Sequence, residues 1–442
     1  MIKHHLSWLL AVLMLFGAAN LQAQTKSLVN NDEGKIAVDA EALKIPEAFA
    51  KNLHWNLILA ARGKNGSVIN WKSGNPEYIS NDGILKKSSP RTGKKVKVMM
   101  TALLSLGKAK LKKTFNVLVA YQEQPLAGYL FTYFEGSGPR EMDEQLRFGV
   151  SADAINWFAL NKNQPIIASD KISGTGGIRD PHILRGEDEK SFYLVATDMS
   201  TAKNGWGHNP GIVMLKSTNL TDWKHAFVDL EKRYPSKFKN VQWVWAPQTI
   251  YDPAVGKYLV YFTVKFKDDA KLDFYSAYSN PDFSGFENEP TLMFSPKYGA
   301  IDGDIIYKDG TYHFFLKGNT KDEKGKEFAN GIRQATAKTL AGPWEEDFNY
   351  LDAYSVKKIV VEGSSVFKLN NTSTYVLMYD LYTSQRYEFQ RSEDLYNFTT
   401  TPESFTKNFY PRHGSVIGIT WEEAQRLNDK WGGAPEILLK KP

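Results

Sequence analysis

Hydrophobic and polar positions alternate in short runs along most of this chain. Between Thr25 and about Gln122 the runs are brief and rich in lysine: Ser67 to Trp71, Lys95 to Met99 and Lys112 to Ala120, separated by turn clusters at 63–66 and 81–83. Period-two runs bounded by Gly and Asn are strand signals, and this segment (25–122) predicts a small β-sandwich. Beyond Leu126 the runs become apolar and aromatic, and they repeat: Tyr129 to Tyr133, Phe192 to Ala196, Tyr258 to Phe262, Tyr312 to Leu316 and Tyr375 to Tyr379. Between them a short turn recurs five times, closing on Trp157, Trp223, Phe286, Trp344 and Phe398. Strand-rich units at roughly 60-residue spacing predict a five-bladed β-propeller over 126–425. A helical signal is expected only near Trp421 to Leu427, and 426–442 reads as a tail.

A third repeated element carries the chemistry. Its copies align without gaps: Arg179 to Leu184 (RDPHIL), Trp245 to Ile250 (WAPQTI), Ile301 to Ile306 (IDGDII), Val361 to Val366 (VEGSSV) and Arg412 to Ile417 (RHGSVI). If these open the channel-lining strand of each blade, the second column puts Asp180, Ala246, Asp302, Glu362 and His413 at one level around one axis. Strand alternation turns the fourth column the same way: His182, Gln248, Asp304, Ser364 and Ser415. The fifth copy lacks outer strands after it, which 126–160 can supply, closing the ring through both ends of the domain. Three carboxylates converging on one axis repel one another and resist burial. They are structural acids at blade entrances, ligands of one cation, or a catalytic set. Carboxylates with split pKa values are what glycosidic cleavage needs, one protonating the leaving oxygen and another activating water.

Composition narrows the field. The 442 residues hold no cysteine, which excludes disulfides, thiolate metal sites, a thiol nucleophile and an acylated cysteine anchor. A balance of 55 basic to 49 acidic residues gives net +6, too weak to argue for nucleic acid. Residues 1–23 have a basic start at Lys3, an apolar run from Leu6 to Ala18 and a small residue at Ala23, the pattern of a cleaved secretory signal. The expected setting is secreted or periplasmic, with no membrane insertion.

The constellation Arg179-Asp-Pro, Trp245-Ala-Pro, Ile301-Asp and Val361-Glu-Gly resembles the family 43 glycoside hydrolases, five-bladed propellers that cleave arabinose- and xylose-containing glycans with inversion. The segment from Gly66 to Pro76, with Ile79 to Gly83, resembles the bacterial Ig-like modules joined to such enzymes. The resemblance implies Asp180 as general base, Glu362 as general acid and Asp302 as the residue that raises the pKa of Glu362 and holds it. It also implies a channel histidine, His413, at a possible structural calcium or water cluster. No cofactor is required for the chemistry. Trp245 is a sugar platform or wall packing; Gln248, Arg386 and His182 are candidate substrate contacts. The expected partner is an oligo- or polysaccharide, and the expected activity is α-L-arabinofuranosidase. β-Xylosidase, galactofuranose- or galactan-directed hydrolysis, and a non-catalytic carbohydrate-binding propeller stay open. Insertions at 200–212 and 319–331 are expected to wall the funnel.

Overall fold

The computed structural model describes residues 31–90, 94–121, 125–136, 140–269, 271–318, 331–352, 354, 357, 359–401 and 405–441. Residues 1–23, read above as a secretory signal, and the expected insertion at 319–330 lie outside them. The chain divides into two compact units, parting near residue 123.

In the first unit, Val68–Ser73, Lys97–Leu106 and Ala109–Leu118 form one antiparallel sheet. Isolated bridges Leu53–Val119 and Ser89–Tyr121 lie beside it. A helix, Asp32–Ala42, packs on the sheet through Ile36 and Ala40 against Ile69, Ala102 and Leu104. The helix was not foreseen, because Gly34 and a polar residue on its buried face (Asp39) dilute the helical period. Asn31 caps it, its Oδ1 accepting from the Gly34 N–H at 2.7 Å. Asp39 accepts from Ser67 Oγ (2.7 Å) and the Asn65 N–H (2.9 Å), so its burial is compensated.

The described residues of the second unit hold five sheets. Four run outward in chain order, with inner strands Ile178–Arg185, Val241–Asp252, Ala300–Lys308 and Glu362–Lys368. The fifth joins both ends of the unit: Ser415–Thr420 pairs antiparallel with Leu126–Tyr133, which continues to Arg147–Ser151 and Asn156–Ala159. Each inner strand packs beside the next, and Ser415–Thr420 returns to Ile178–Arg185, so the sheets form a closed ring. A separate apolar cluster fills the space between each neighbouring pair, such as Val195, Met214, Val260 and Phe262 between the first two.

The repeated turns hold the outer strands. Trp157 Nε1 donates to the Ala154 carbonyl (3.1 Å) and Trp223 Nε1 to that of Leu220 (3.0 Å). Ala154, Leu220, Phe283 and Leu395 take the same left-handed conformation, φ 61–68°. At the end, a capping box of Thr420 and Glu423 starts the helix Trp421–Trp431, and Leu427 and Leu438 are buried in the core between the fifth and first sheets.

Candidate active site

Four inner strands slip register near the same level: between Arg179 and His182, Trp245 and Gln248, Ile301 and Asp304, and, one residue later in the repeat, Glu362 and Ser365. At these bulges Asp180, Ala246, Asp302 and Gly363 have φ of 50°, 45°, 53° and 64°. The third column of the repeat is Pro or Gly in every copy, the residues an interrupted ladder tolerates. Left-handed backbone at a non-glycine residue costs ~1–3 kcal/mol and persists where surrounding structure imposes it, often at working sites.

Three of these second-column side chains meet. Asp180, Asp302 and Glu362 line one pocket of about 430 Å³, with Trp245 in its wall. Asp180 Oδ2 accepts from Thr197 Oγ1 (3.0 Å), which itself accepts from the Ala246 N–H (2.8 Å). His413 Nδ1 lies 3.3 Å from Asp180 Oδ1 and 3.7 Å from Asp302 Oδ1. Burial opposes charge on this imidazole, yet Asp302 and Asp180 together push its pKa up to about 9, which favours the imidazolium at neutral pH. Burial also opposes charge on Asp180, but His413 and Arg179 hold its carboxyl below the usual range. Asp302 goes the other way: burial, reinforced by Glu362 and Asp180, raises it despite His413.

Glu362 departs from the expectation. Burial works against its charge, but Lys317 Nζ stands 3.1 Å from Oε2 and Arg412 Nη2 2.6 Å from Oε1, and these cations hold its pKa down. Asp302 and Glu362 do repel each other, yet the rise falls on Asp302, because Glu362 has two cations at bonding distance. Behind them, Arg412 Nε bonds Asp380 Oδ2 at 2.7 Å. Asp380 is buried, and burial pushes its carboxyl up to about 7 despite Arg412.

The fourth column does something else. His182 Nδ1 accepts from the Thr249 N–H (3.3 Å), Asp304 Oδ2 from the Val366 N–H (2.7 Å) and Ser415 Oγ from the Ile183 N–H (2.8 Å). Tyr261 Oη accepts from the Ile305 N–H (2.8 Å) and donates to Gln248 Oε1 (3.1 Å). The bonds to backbone N–H groups each clasp one sheet's side chains to the next sheet's inner strand, while Gln248 braces Tyr261 within its own sheet. His182 and Gln248 are buried and are absent from the pocket lining. The Arg386 side chain is 59% exposed, paired with Glu388, and absent from the pocket wall. Of the four candidate contacts only Trp245 reaches the pocket.

Among the described residues no group of three or more His, Asp or Glu side chains is placed to hold a metal ion, and His413 Nδ1 faces Asp180 and Asp302. No step below runs through a metal. Sequence reasoning missed Lys317, Trp206 and Arg412 in the pocket lining. Arg412 was within reach, since it opens the fifth motif copy beside His413.

A ring of sheets that gathers Asp180, Asp302 and Glu362 in one pocket, with Lys317 and Arg412 on Glu362 and two tryptophans in the wall, has the build of a glycoside hydrolase. Residues 124–425 match the glycoside hydrolase 43-related family, described as "Probable glycosyl hydrolase domain", and the chain belongs to that family. Residues 36–122 match the atrophied bacterial Ig domain. A similar curated protein is an α-L-arabinofuranosidase of Bifidobacterium longum subsp. longum, 26% identical over 363 residues, covering 72% of this chain and 33% of the relative. The chain thus spans about a third of that relative's length. Among solved structures, a thermostable family-43 glycoside hydrolase is similar at 13% identity and TM-score 0.44, covering 72% of this chain and 92% of the other. An α-L-arabinanase of Cellvibrio cellulosa, complexed with arabinohexaose, is similar at 15% identity and TM-score 0.43, covering 65% and 96%. No helix among the described residues is long and apolar enough to cross a membrane.

Proposed function

We propose that the protein removes terminal sugars from plant-type oligo- or polysaccharides by inverting hydrolysis, with α-L-arabinofuranosyl groups as the first substrate to test. The observation that carries this is the convergence of Asp180, Asp302 and Glu362 in one pocket with opposite pKa shifts. An ionised Asp180 suits the base: it takes a proton from water as that water attacks the anomeric carbon. Glu362 gives its proton to the leaving oxygen. Because Lys317 and Arg412 favour its charged form, the competent acid form grows as pH falls, and turnover is fastest on the acid side of neutrality. A second reading makes Asp302 the proton donor, with Glu362 as its ionised neighbour; the raised Asp302 carboxyl favours it.

The relative's printed activity supports arabinofuranose over the alternatives, which remain β-xyloside and galactofuranose- or galactan-directed hydrolysis. Export to the periplasm or beyond is part of the same proposal, supported by the bacterial Ig match and the leader pattern at 1–23.

A panel of aryl α-L-arabinofuranoside, β-D-xyloside, β-D-galactofuranoside and β-D-galactopyranoside, followed by oligosaccharides of the active sugar, tests the reading. Loss of the acid catalyst hurts poor leaving groups far more than good ones. Glu362→Gln should therefore lose glycan cleavage while retaining much of its rate on an activated aryl glycoside. If Asp302→Asn shows that split and Glu362→Gln fails equally on both, Asp302 is the donor. Oligosaccharide binding without any sugar release would instead make the pocket a binding site.

A further inference from the structure

The segment between the second and third strands of the first sheet lies outside the repeat, and it places an indole at the pocket wall. Trp206 lines the pocket, yet 60% of its surface is exposed. A large apolar ring left in water on a loose loop would need no explanation, but this segment is strapped down at both ends. At its start, the Thr201 N–H and Oγ1 each donate to Glu144 at 2.6 Å, and Glu144 also pairs with Arg179 at 3.0 Å. At its end, Asn209 accepts from Trp245 Nε1 (2.8 Å) and exchanges backbone bonds with Gln242 and Val244. Trp243 Nε1 reaches the Trp206 carbonyl (3.3 Å).

The ring itself is held as firmly as the backbone. The Arg179 guanidinium sits 5.0 Å from its centroid and 4.6 Å from that of Phe134. Trp206 meets Trp245 edge to face, centroids 6.2 Å apart and planes at 76°, while Trp245 stacks on Trp243 at 4.4 Å. Two indoles nearly at right angles make an apolar corner, and two sugar rings can each find a face there. Trp245 is the more buried of the pair and Trp206 the more exposed.

We propose that Trp206 forms a second sugar subsite, taking the residue to which the terminal sugar is joined, so that the substrate is an oligosaccharide or a branched chain and not a simple glycoside. This rests on the pocket being the glycan site proposed above. The occupant is a neutral furanose or pyranose, because among the described residues of the pocket lining the cations Arg179, Lys317 and Arg412 all have carboxylate partners already. A rigid ring spares the ligand the ordering cost that a mobile loop would add.

The test uses the full chain carrying Glu362→Gln, so that substrate is bound and not consumed. Arabinose and arabino-oligosaccharides of two and three residues are titrated calorimetrically, with and without Trp206→Ala and Trp206→Phe. The expected result is a loss of affinity of about three- to tenfold for the di- and trisaccharide with Trp206→Ala, in line with ring-stacking energies. Trp206→Phe restores part of it, and arabinose is unaffected. An exposed residue of this kind should leave the melting temperature unchanged. Equal affinities for oligosaccharide with and without the indole overturn the inference, as does an equal loss for arabinose. Failure of the Glu362→Gln chain to bind any of these sugars overturns the arabinose reading itself, and the same titration with xylo- and galacto-oligosaccharides then decides whether the subsite serves another neutral sugar or falls with it.

Discussion

His413 offers the sharpest prediction, because its charge is imposed entirely by neighbours. The ring is buried among Asp180, Asp302 and Glu362, and its pKa moves from 6.5 to about 9. A histidine with a raised folded pKa lends stability that is fully present below 6.5 and lost as pH rises through 9. At 1.36 kcal/mol per unit, a rise of 2.5 units corresponds to about 3 kcal/mol. For a domain this large, that loss lowers the melting temperature by roughly 5–10 °C. Asp380 also titrates near this window, but its raised carboxyl ionises through about 7, so the slope from pH 7.5 to 9.5 belongs to His413. The assay is thermal unfolding of the full chain followed by tryptophan emission at half-unit pH steps, for wild type and His413→Gln. The variant should start less stable, since Asp180 and Asp302 lose their shared counter-charge, and its melting temperature should then be flat over the same window. A flat wild-type curve, or an unchanged slope in His413→Gln, would show that the ring is neutral and that its closeness to the two carboxylates has another cause.

Other residues give further tests. Arg412→Met removes one of the two cations on Glu362, so the alkaline limb of kcat/KM should move up by about one unit or more; a limb that stays in place takes the acid role away from Glu362. Asp304→Asn keeps an acceptor for the Val366 N–H and should be mild, whereas Asp304→Leu orphans that donor and should cost about 1–3 kcal/mol in urea unfolding. Equal stability of the two variants would refute the clasp. Gly363→Ala puts a Cβ 2.8 Å from His413 Cβ at φ +64°, so melting temperature and turnover should both fall, by about 1–2 kcal/mol of backbone strain in the first case; an unaltered rate would mean the His413 ring tolerates displacement.

Much of the site was legible because the repeat aligns residues that the fold then brings to one level. Asp180, Asp302 and Glu362 are 60 or more residues apart in sequence order, yet their shared column placed them together. What the column could not carry was the charge balance. Lys317 comes from a second strand, opposite Ile301 in register, and Trp206 from the connection between the second and third strands of the first sheet. Neither lies in any motif, so Glu362 was read with its repulsive neighbour alone. The first-unit helix was hidden for a different reason, since Asp39 on its inner face breaks the apolar stripe and is satisfied only by Ser67 and Asn65 far along the chain.

The placement of His182 and Gln248 outside the pocket lining has a cause that reaches beyond these two residues. Strand alternation predicts the second and fourth columns on the same side, but a bulge lies between them and the two columns meet different demands. Inner strands in a ring are hydrogen-bonded outward along their own sheets and lack a ladder to one another, so backbone N–H groups beyond each bulge need acceptors in a dry interior. Thr249, Ile305, Val366 and Ile183 find them on His182, Tyr261, Asp304 and Ser415, each from the sheet before. The bulge divides the labour: Asp180, Asp302 and Glu362 reach the pocket at or beside left-handed backbone, while His182, Asp304 and Ser415 of the fourth column join sheet to sheet. Asp302 and Asp304, two residues apart and both with raised carboxyls, thus differ in kind. Asp302 lines the pocket and can act on a ligand, while Asp304 has its acceptor committed to the neighbouring strand, and replacing it should be felt in unfolding before it is felt in turnover.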